Sequence, residues 1–219
     1  MQLTIKGQPS FGYAEVLLEP GEHIITESGA MATMAMGLEL DAKLNGGFLK
    51  GILRKFFGGE SLFVNHFTNT TNVVQPMTLT QPTPGDMIVR QLNNETLYLQ
   101  PTAFIACEQG LNIDLEFAGF KSFIAREGLF KIKVSGSGKL IFGAYGAIIE
   151  KPVNGELIVD TGHLVAYDPQ MKLKLQLSGG IISSITSGEG LVTRMEGTGR
   201  VWIQTRNLQG LASWINRFF

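Results

Sequence analysis

Charge is the first thing this chain has little of. Its Lys, Arg, Asp and Glu make up 17% of 219 residues, below the quarter usual in soluble domains. A surface that poor in charge points to part of it being covered by another subunit. The 18 basic and 19 acidic residues nearly cancel, to a formal net charge of −1, so no overall pull towards nucleic acid exists and no DNA partner is expected. A single cysteine, Cys107, excludes an internal disulfide and fits a reducing compartment. No apolar run approaches the roughly 20 residues of a membrane-spanning helix. The opening Met1-Gln2-Leu3-Thr4-Ile5-Lys6 alternates polar and apolar like an edge strand, and lacks the charged start and apolar run of a signal peptide. A cytoplasmic location is therefore expected. Histidine is scarce as well: His23, His66 and His163 share no local ligand spacing, so neither metal nor cofactor is expected.

Glycine, by contrast, is plentiful. Twenty-seven glycines divide short apolar runs, the punctuation of many short strands. One stretch is written three times at a spacing of about 60 to 70 residues. Its fullest form is Gly188-Glu189-Gly190-Leu191 through Gly197-Thr198-Gly199 to Arg200-Val201-Trp202-Ile203. An earlier copy runs from Glu127-Gly128-Leu129-Phe130 through Gly136-Ser137-Gly138 to Leu140-Ile141-Phe142, and a worn one opens at Gly59-Glu60-Ser61-Leu62-Phe63. Each Gly-x-Gly reads as a tight hairpin turn. Upstream of these lie three related strand-and-corner segments, beginning near Glu22, Glu95 and Glu156.

Between corner and hairpin sit Leu38 to Leu44, Leu111 to Phe117 and Leu173 to Leu177, with a period of two that leaves one face apolar. Three Gly-flanked, apolar, helix-like segments follow them, at Phe48 to Phe57, Phe120 to Ala125 and Ile181 to Ile185. The pattern predicts an all-β chain of three similar units with pseudo-threefold symmetry: 1–92, 93–153 and 154–219, stacked into one domain, plus short helical segments. The last residues, Leu211 to Phe219, carry apolar side chains at helical spacing and predict a short docked helix.

Few residues offer chemistry. Cys107 aligns with Met34 and Tyr167 in the other copies, a position that takes apolar bulk rather than a nucleophile. Glu60, Glu127 and Glu189 recur at one place in each unit and suit a shared turn role. Lys131, Lys133, Arg194, Arg200 and Arg206 form a basic strip that reads as a solvated face, since aromatics hardly interleave it. No catalytic set emerges, and no enzyme is expected.

Gly7-Gln8-Pro9-Ser10, the corner Ser28-Gly29-Ala30-Met31, Gly59-Glu60-Ser61-Leu62-Phe63, Gly188-Glu189-Gly190-Leu191 and the run Gly199-Arg200-Val201-Trp202-Ile203-Gln204-Thr205-Arg206 resemble the altered inheritance of mitochondria protein 24 family. The resemblance covers essentially the whole chain. It implies units similar to the tryptophan RNA-binding attenuation protein, short double-stranded β-helices (TRAP-like), triplicated in one chain and assembling into a ring-like homotrimer. Bacterial members carry no assigned biochemical function, and the family supplies no catalytic residues to carry over.

The expected function is that of a non-enzymatic oligomeric scaffold or membrane-peripheral interaction protein, with a small-molecule or RNA-binding ring as the alternative. The expected docking surface for a membrane or protein partner is the segment Phe48 to Phe57. Its apolar half includes Phe56 and Phe57, and Lys50, Arg54 and Lys55 share the other half with Gly51.

Overall fold

A computed structural model of the chain describes residues 1–44, 63–117, 130–177 and 191–219. Among the described residues the named strands pair antiparallel, with one isolated parallel bridge between Gly85 and Gly146, and the rest includes two single 3-10 turns and one short helix. Strands β1 (Gln2–Lys6), β2 (Tyr13–Leu18), β3 (His23–Glu27), β4 (Met31–Met34), β5 (Leu38–Leu44), β6 (Phe63–Asn69) and β7 (Gln75–Leu79) come first. The long β8 (Met87–Leu99) leads through a 3-10 turn at Pro101–Ala103 into β9 (Phe104–Glu108), β10 (Leu111–Phe117) and the long β11 (Phe130–Gly143). The pattern then recurs. The long β12 (Ile148–Asp160) leads through a 3-10 turn at Thr161–His163 into β13 (Leu164–Tyr167), β14 (Lys172–Leu177) and the long β15 (Leu191–Gln204), and α1 (Leu208–Ile215) closes the chain.

Two long hairpins dominate. β12 and β15 pair without interruption from Ile148 opposite Gln204 to Asp160 opposite Val192. β8 and β11 pair over a similar length, broken by one irregularity where Asn94, at φ +58°, is the extra residue and its N–H bonds Ser137 Oγ. The other edge of β11 changes partner midway, from β10 at residues 130–136 to β9 at 140–142. β15 does the same, with β14 and then β13. Strands β2, β3, β6 and β7 repeat this pairing with both long strands cut in two: β2 pairs β7, β3 pairs β6, β5 pairs β6 and β4 pairs β7. The boundaries expected at 92/93 and 153/154 fall inside β8 and β12.

The glycine pairs correct the sequence expectation. Gly136-Ser137-Gly138 and Gly197-Thr198-Gly199 lie inside β11 and β15 and turn no hairpin. They mark the place where each long strand passes from one partner to the next. Gly136 and Gly197 hold φ of +123° and +128°, where L side chains are disfavoured. A Cβ on Gly136 would also meet the Gly110 carbonyl oxygen at 2.5 Å, because the β9–β10 turn is laid against the strand there.

The alternation holds in β10, with Leu111 buried and Asn112 and Asp114 exposed, but not in β5, where Leu38 is buried and Leu40 is exposed with Glu39 and Asp41. β1 is an edge strand, paired on one side only, and its residues alternate in burial. The core is built from inward-facing residues of neighbouring sheets. Phe142 and Trp202, both fully buried, meet edge to face with centroids 6.2 Å apart. Trp202 thereby joins β15 to a cluster drawn mainly from β8, β9 and β11. Trp202→Ala is expected to destabilise the protein by about 3–5 kcal/mol in urea denaturation followed by circular dichroism.

Candidate functional site

Two strand junctions bind successive parts of the chain together, and both use one geometry. At the first, β3 pairs β9 with Ile25 opposite Cys107 and Thr26 opposite Ala106. At the second, β8 pairs β13 with Tyr98 opposite Tyr167 and Leu99 opposite Ala166. The Tyr98 and Tyr167 rings stack at 5.2 Å, and Lys131 Nζ lies 3.7 Å from the Tyr98 ring centre. In each case the strand before a corner pairs with the strand after the next corner. Nearly every residue of β9 and β13 is buried as a result.

One donor of this kind and one acceptor have no such partner among the described residues. The last residues of β12, before the Thr161–His163 turn, pair only with β15, and β12 ends the larger sheet. β4 pairs only with β7 and ends the smaller sheet. Exposure matches: Ile158 is 60% exposed where Tyr98 and Ile25 are covered, and three of the four residues of β4 are exposed. The register of the inner junctions carries over position by position. Met34 opposite Met77 corresponds to Cys107 opposite Leu140 and to Tyr167 opposite Val201. Ile158 stands three residues before its 3-10 turn, as Tyr98 does. By that correspondence Ile158 and Val159 occupy on β12 the positions that Tyr98 and Leu99 occupy on β8, and Met34 and Thr33 those of Tyr167 and Ala166.

A polar network lies beside the second junction. The Trp202 indole N–H donates to the Glu150 carboxylate at 3.0 Å, and the Arg90 and Arg200 guanidiniums lie 4.5 and 5.5 Å from the ring centre. Asp168 accepts from the Arg200 backbone N–H at 2.9 Å and from its Nε at 3.2 Å, and faces Arg90 Nη2 at 3.5 Å. Arg90 Nη2 also faces Glu95 at 3.5 Å, while its buried Nε has no hydrogen-bond partner among the described residues. Ile88, Gln91, Glu150 and Arg200 are among the lining of the shallow cleft of about 320 Å³ above this network. The two arginines are paired with Glu95 and Asp168, so the network ties β8 to β15. Sequence reasoning missed it. The signal was the acid directly after each aligned Cys107 and Tyr167: Glu108 accepts the Lys139 backbone N–H at 2.8 Å as Asp168 accepts that of Arg200.

The other residues singled out from the sequence fall as follows. Lys50, Arg54, Lys55, Phe56 and Phe57 lie outside the described residues, as do Glu60, Glu127, Glu189 and the three helix-like segments. His23 and His66, far apart in the chain, come together on the paired β3 and β6 with ring centres 6.4 Å apart. His163 is remote from them in the chain, held between the Gln204 carbonyl at 2.6 Å and the Asn207 side chain at 2.9 Å. Among the described residues no three His, Cys, Asp or Glu side chains could hold a metal ion. Four of the five members of the basic strip are compensated, Arg206 being the exception among the described residues. Lys131 and Lys133 both reach Glu116, at 3.4 and 3.6 Å, and Arg194 pairs with Glu156 and Glu196. Lys174 also hydrogen-bonds Glu196 and holds that carboxyl below its ordinary range, with the Lys174 and Arg194 charges adding to the effect.

This is an antiparallel β protein in which many of the described charged side chains pair with one another. The chain belongs to the family described as Mitochondrial biogenesis AIM24, whose model matches residues 3–206. It is 28% identical over 227 residues to an uncharacterized protein of Streptococcus pyogenes serotype M6, an alignment covering 100% of this chain and 91% of that one. It is also similar to a crystal structure of a Streptococcus pyogenes protein, with a TM-score of 0.81 and 28% identity over 100% of this chain and 99% of the other.

Cys107 is 1% exposed, and burial pushes its thiol up to about 12. At pH 8 about one thiol in ten thousand is then ionised, against roughly a quarter for a free cysteine. Native protein is expected to resist iodoacetamide at pH 8 and to react once unfolded in guanidinium, as read by intact mass; rapid native labelling would contradict the buried placement.

Proposed function

We propose that this protein is a non-enzymatic scaffold: a chain of three similar double-stranded β-helix units that closes head to tail with two further copies into a homotrimeric ring. What carries this reading is the pair of open edges, β12 and β4, which match in register the two junctions already made inside the chain. An exposed strand edge is a row of unsatisfied donors and acceptors. Here the complement of that edge is present on every other copy, so the contact is heterologous and a ring pairs every β12 edge with a β4 edge at once, leaving β1 and β5 as the outer edges of the described sheets. The correspondence of pairings among β2–β7, β8–β11 and β12–β15 supports the three-unit reading. The low charged fraction, 17% of the chain, fits a surface partly covered by neighbours.

The absence of catalysis is part of the proposal. The single thiol is buried and neutral, and Arg90, Asp168 and Arg200 are tied to one another. The membrane-docking expectation at Lys50, Arg54 and Lys55 rests on residues outside the description and adds nothing to this reading.

Light scattering at micromolar concentration is expected to give about three times the 23.9 kDa chain mass. The sharper measurement is a cysteine pair, since opposed strand residues stand at disulfide distance. Oxidised M34C/I158C protein should run as covalent dimer and trimer, with each single variant unlinked. A monomer in solution, a mass growing without limit, or no cross-link in the double variant would each overturn the ring.

A further inference from the structure

The helix at the end of the described chain is attached without being packed. Its N-cap Asn207 accepts from the Gly210 N–H and reaches His163 Nε2 at 2.9 Å, and His163 in turn donates from Nδ1 to the Gln204 carbonyl at 2.6 Å. That tether fixes the first turn. Beyond it no residue of α1 is buried, contrary to the docked helix expected from the sequence. Helical spacing gathers Leu208, Leu211, Trp214 and Ile215 on one side, and the turns that follow bring Phe218 against Trp214, with ring centres 5.1 Å apart. These side chains stay in water: Trp214 is 57% and Phe218 68% exposed. A crevice of about 590 Å³ lies between the helix and the body, lined on one side by Leu211 and Trp214 and on the other by Tyr145, His163 and Arg206.

Charge selects what could cover such a face. No acidic residue follows Glu196, whereas Arg200, Arg206 and Arg217 do. Arg200 is held by Asp168, while Arg206 and Arg217 have no ion pair among the described residues. The segment is therefore a short amphipathic helix with Trp, Phe and Leu on one face and uncompensated arginines at its two ends. Eight residues span only about 12 Å. That length suffices to lie flat in a headgroup layer, with the aromatic rings at the acyl boundary and the arginines among the phosphates.

We infer that α1 and the residues after it, Leu208 to Phe219, are an interfacial docking element for an anionic lipid bilayer. Arg206 and Arg217 meet the headgroups, and Leu211, Trp214, Ile215 and Phe218 enter the surface. This goes beyond the scaffold reading and does not depend on it. A ring would add avidity by presenting several such helices, but a single chain carries the complete element.

The experiment uses the full chain with vesicles of phosphatidylcholine alone or with 30% phosphatidylglycerol, read by flotation and by tryptophan emission. The chain has two tryptophans. Trp202 is buried already, so a change in emission reports Trp214. Wild type should float with the anionic vesicles and shift to the blue, and 0.5 M salt should weaken both signals. W214S/F218S should lose at least tenfold in bound fraction with an unchanged circular dichroism spectrum, and R206Q/R217Q should lose the preference for anionic lipid. Failure of wild type to float, or equal flotation of W214S/F218S, would overturn the inference. Light scattering of the same samples judges the ring separately, so a monomer that still shifts to the blue supports this element while refuting the ring.

Discussion

Every backbone N–H and C=O in this chain must find a partner once water is excluded, and that single constraint explains the use made of the two longest hairpins. β11 and β15 are each paired along both edges, and on one edge they exchange β10 for β9, or β14 for β13, partway along. The exchange bends the strand and brings a neighbouring turn against it, so Gly136 and Gly197 occupy those points. Cores form on the inner sides of the bend. Phe142 and Trp202 lie just beyond it on β11 and β15, and each is fully buried.

Much of this was legible from spacing alone. The alternation in Leu111 to Phe117 identified a strand with one buried face, and the alignment of Cys107 with Met34 and Tyr167 matches the observed pairings of all three residues. The glycine pairs were legible as special backbone but not as the points where a continuous strand changes partner, because a positive φ serves a hairpin turn and a strand interior equally well. The Asp168 network was not legible. Its members come from β8, β12, β15 and the stretch after β13, and nothing in local sequence says that Arg90 faces Asp168 78 positions later. The final helix was half legible. Periodicity shows that one face is apolar, but it cannot say whether this chain owns a surface to receive it.

Scarce charge turns out to be charge concentrated. Glu116 serves two lysines, Asp168 two arginines and Glu196 both Lys174 and Arg194. The exposed pairs, those of Glu116 and Glu196, contribute little stability each, whereas Asp168 and Arg90 are mostly buried. All of these pairs do neutralise those parts of the described sheet surface. Uncompensated positive charge survives beside α1, at Arg206 and Arg217, where no carboxylate follows in sequence.

Two kinds of surface stand open among the described residues, and they differ in what could cover them. The outer edges of β12 and β4 have no strand partner among the described residues, and the backbone hydrogen bonds such an edge offers are directional and satisfied only by another strand in register. A lipid surface cannot supply these, whereas a copy of the same chain can. The face of α1 lacks only apolar cover, which has no direction and no register, and a fluid interface supplies it as readily as a protein does. A scaffold whose self-contacts are directional and whose outward contact is not can assemble with one geometry and still attach to a surface of no fixed geometry. The covalent link between the two is short: α1 begins four residues after β15 ends, at Gln204, and the Asn207–His163 contact fixes where that helix starts.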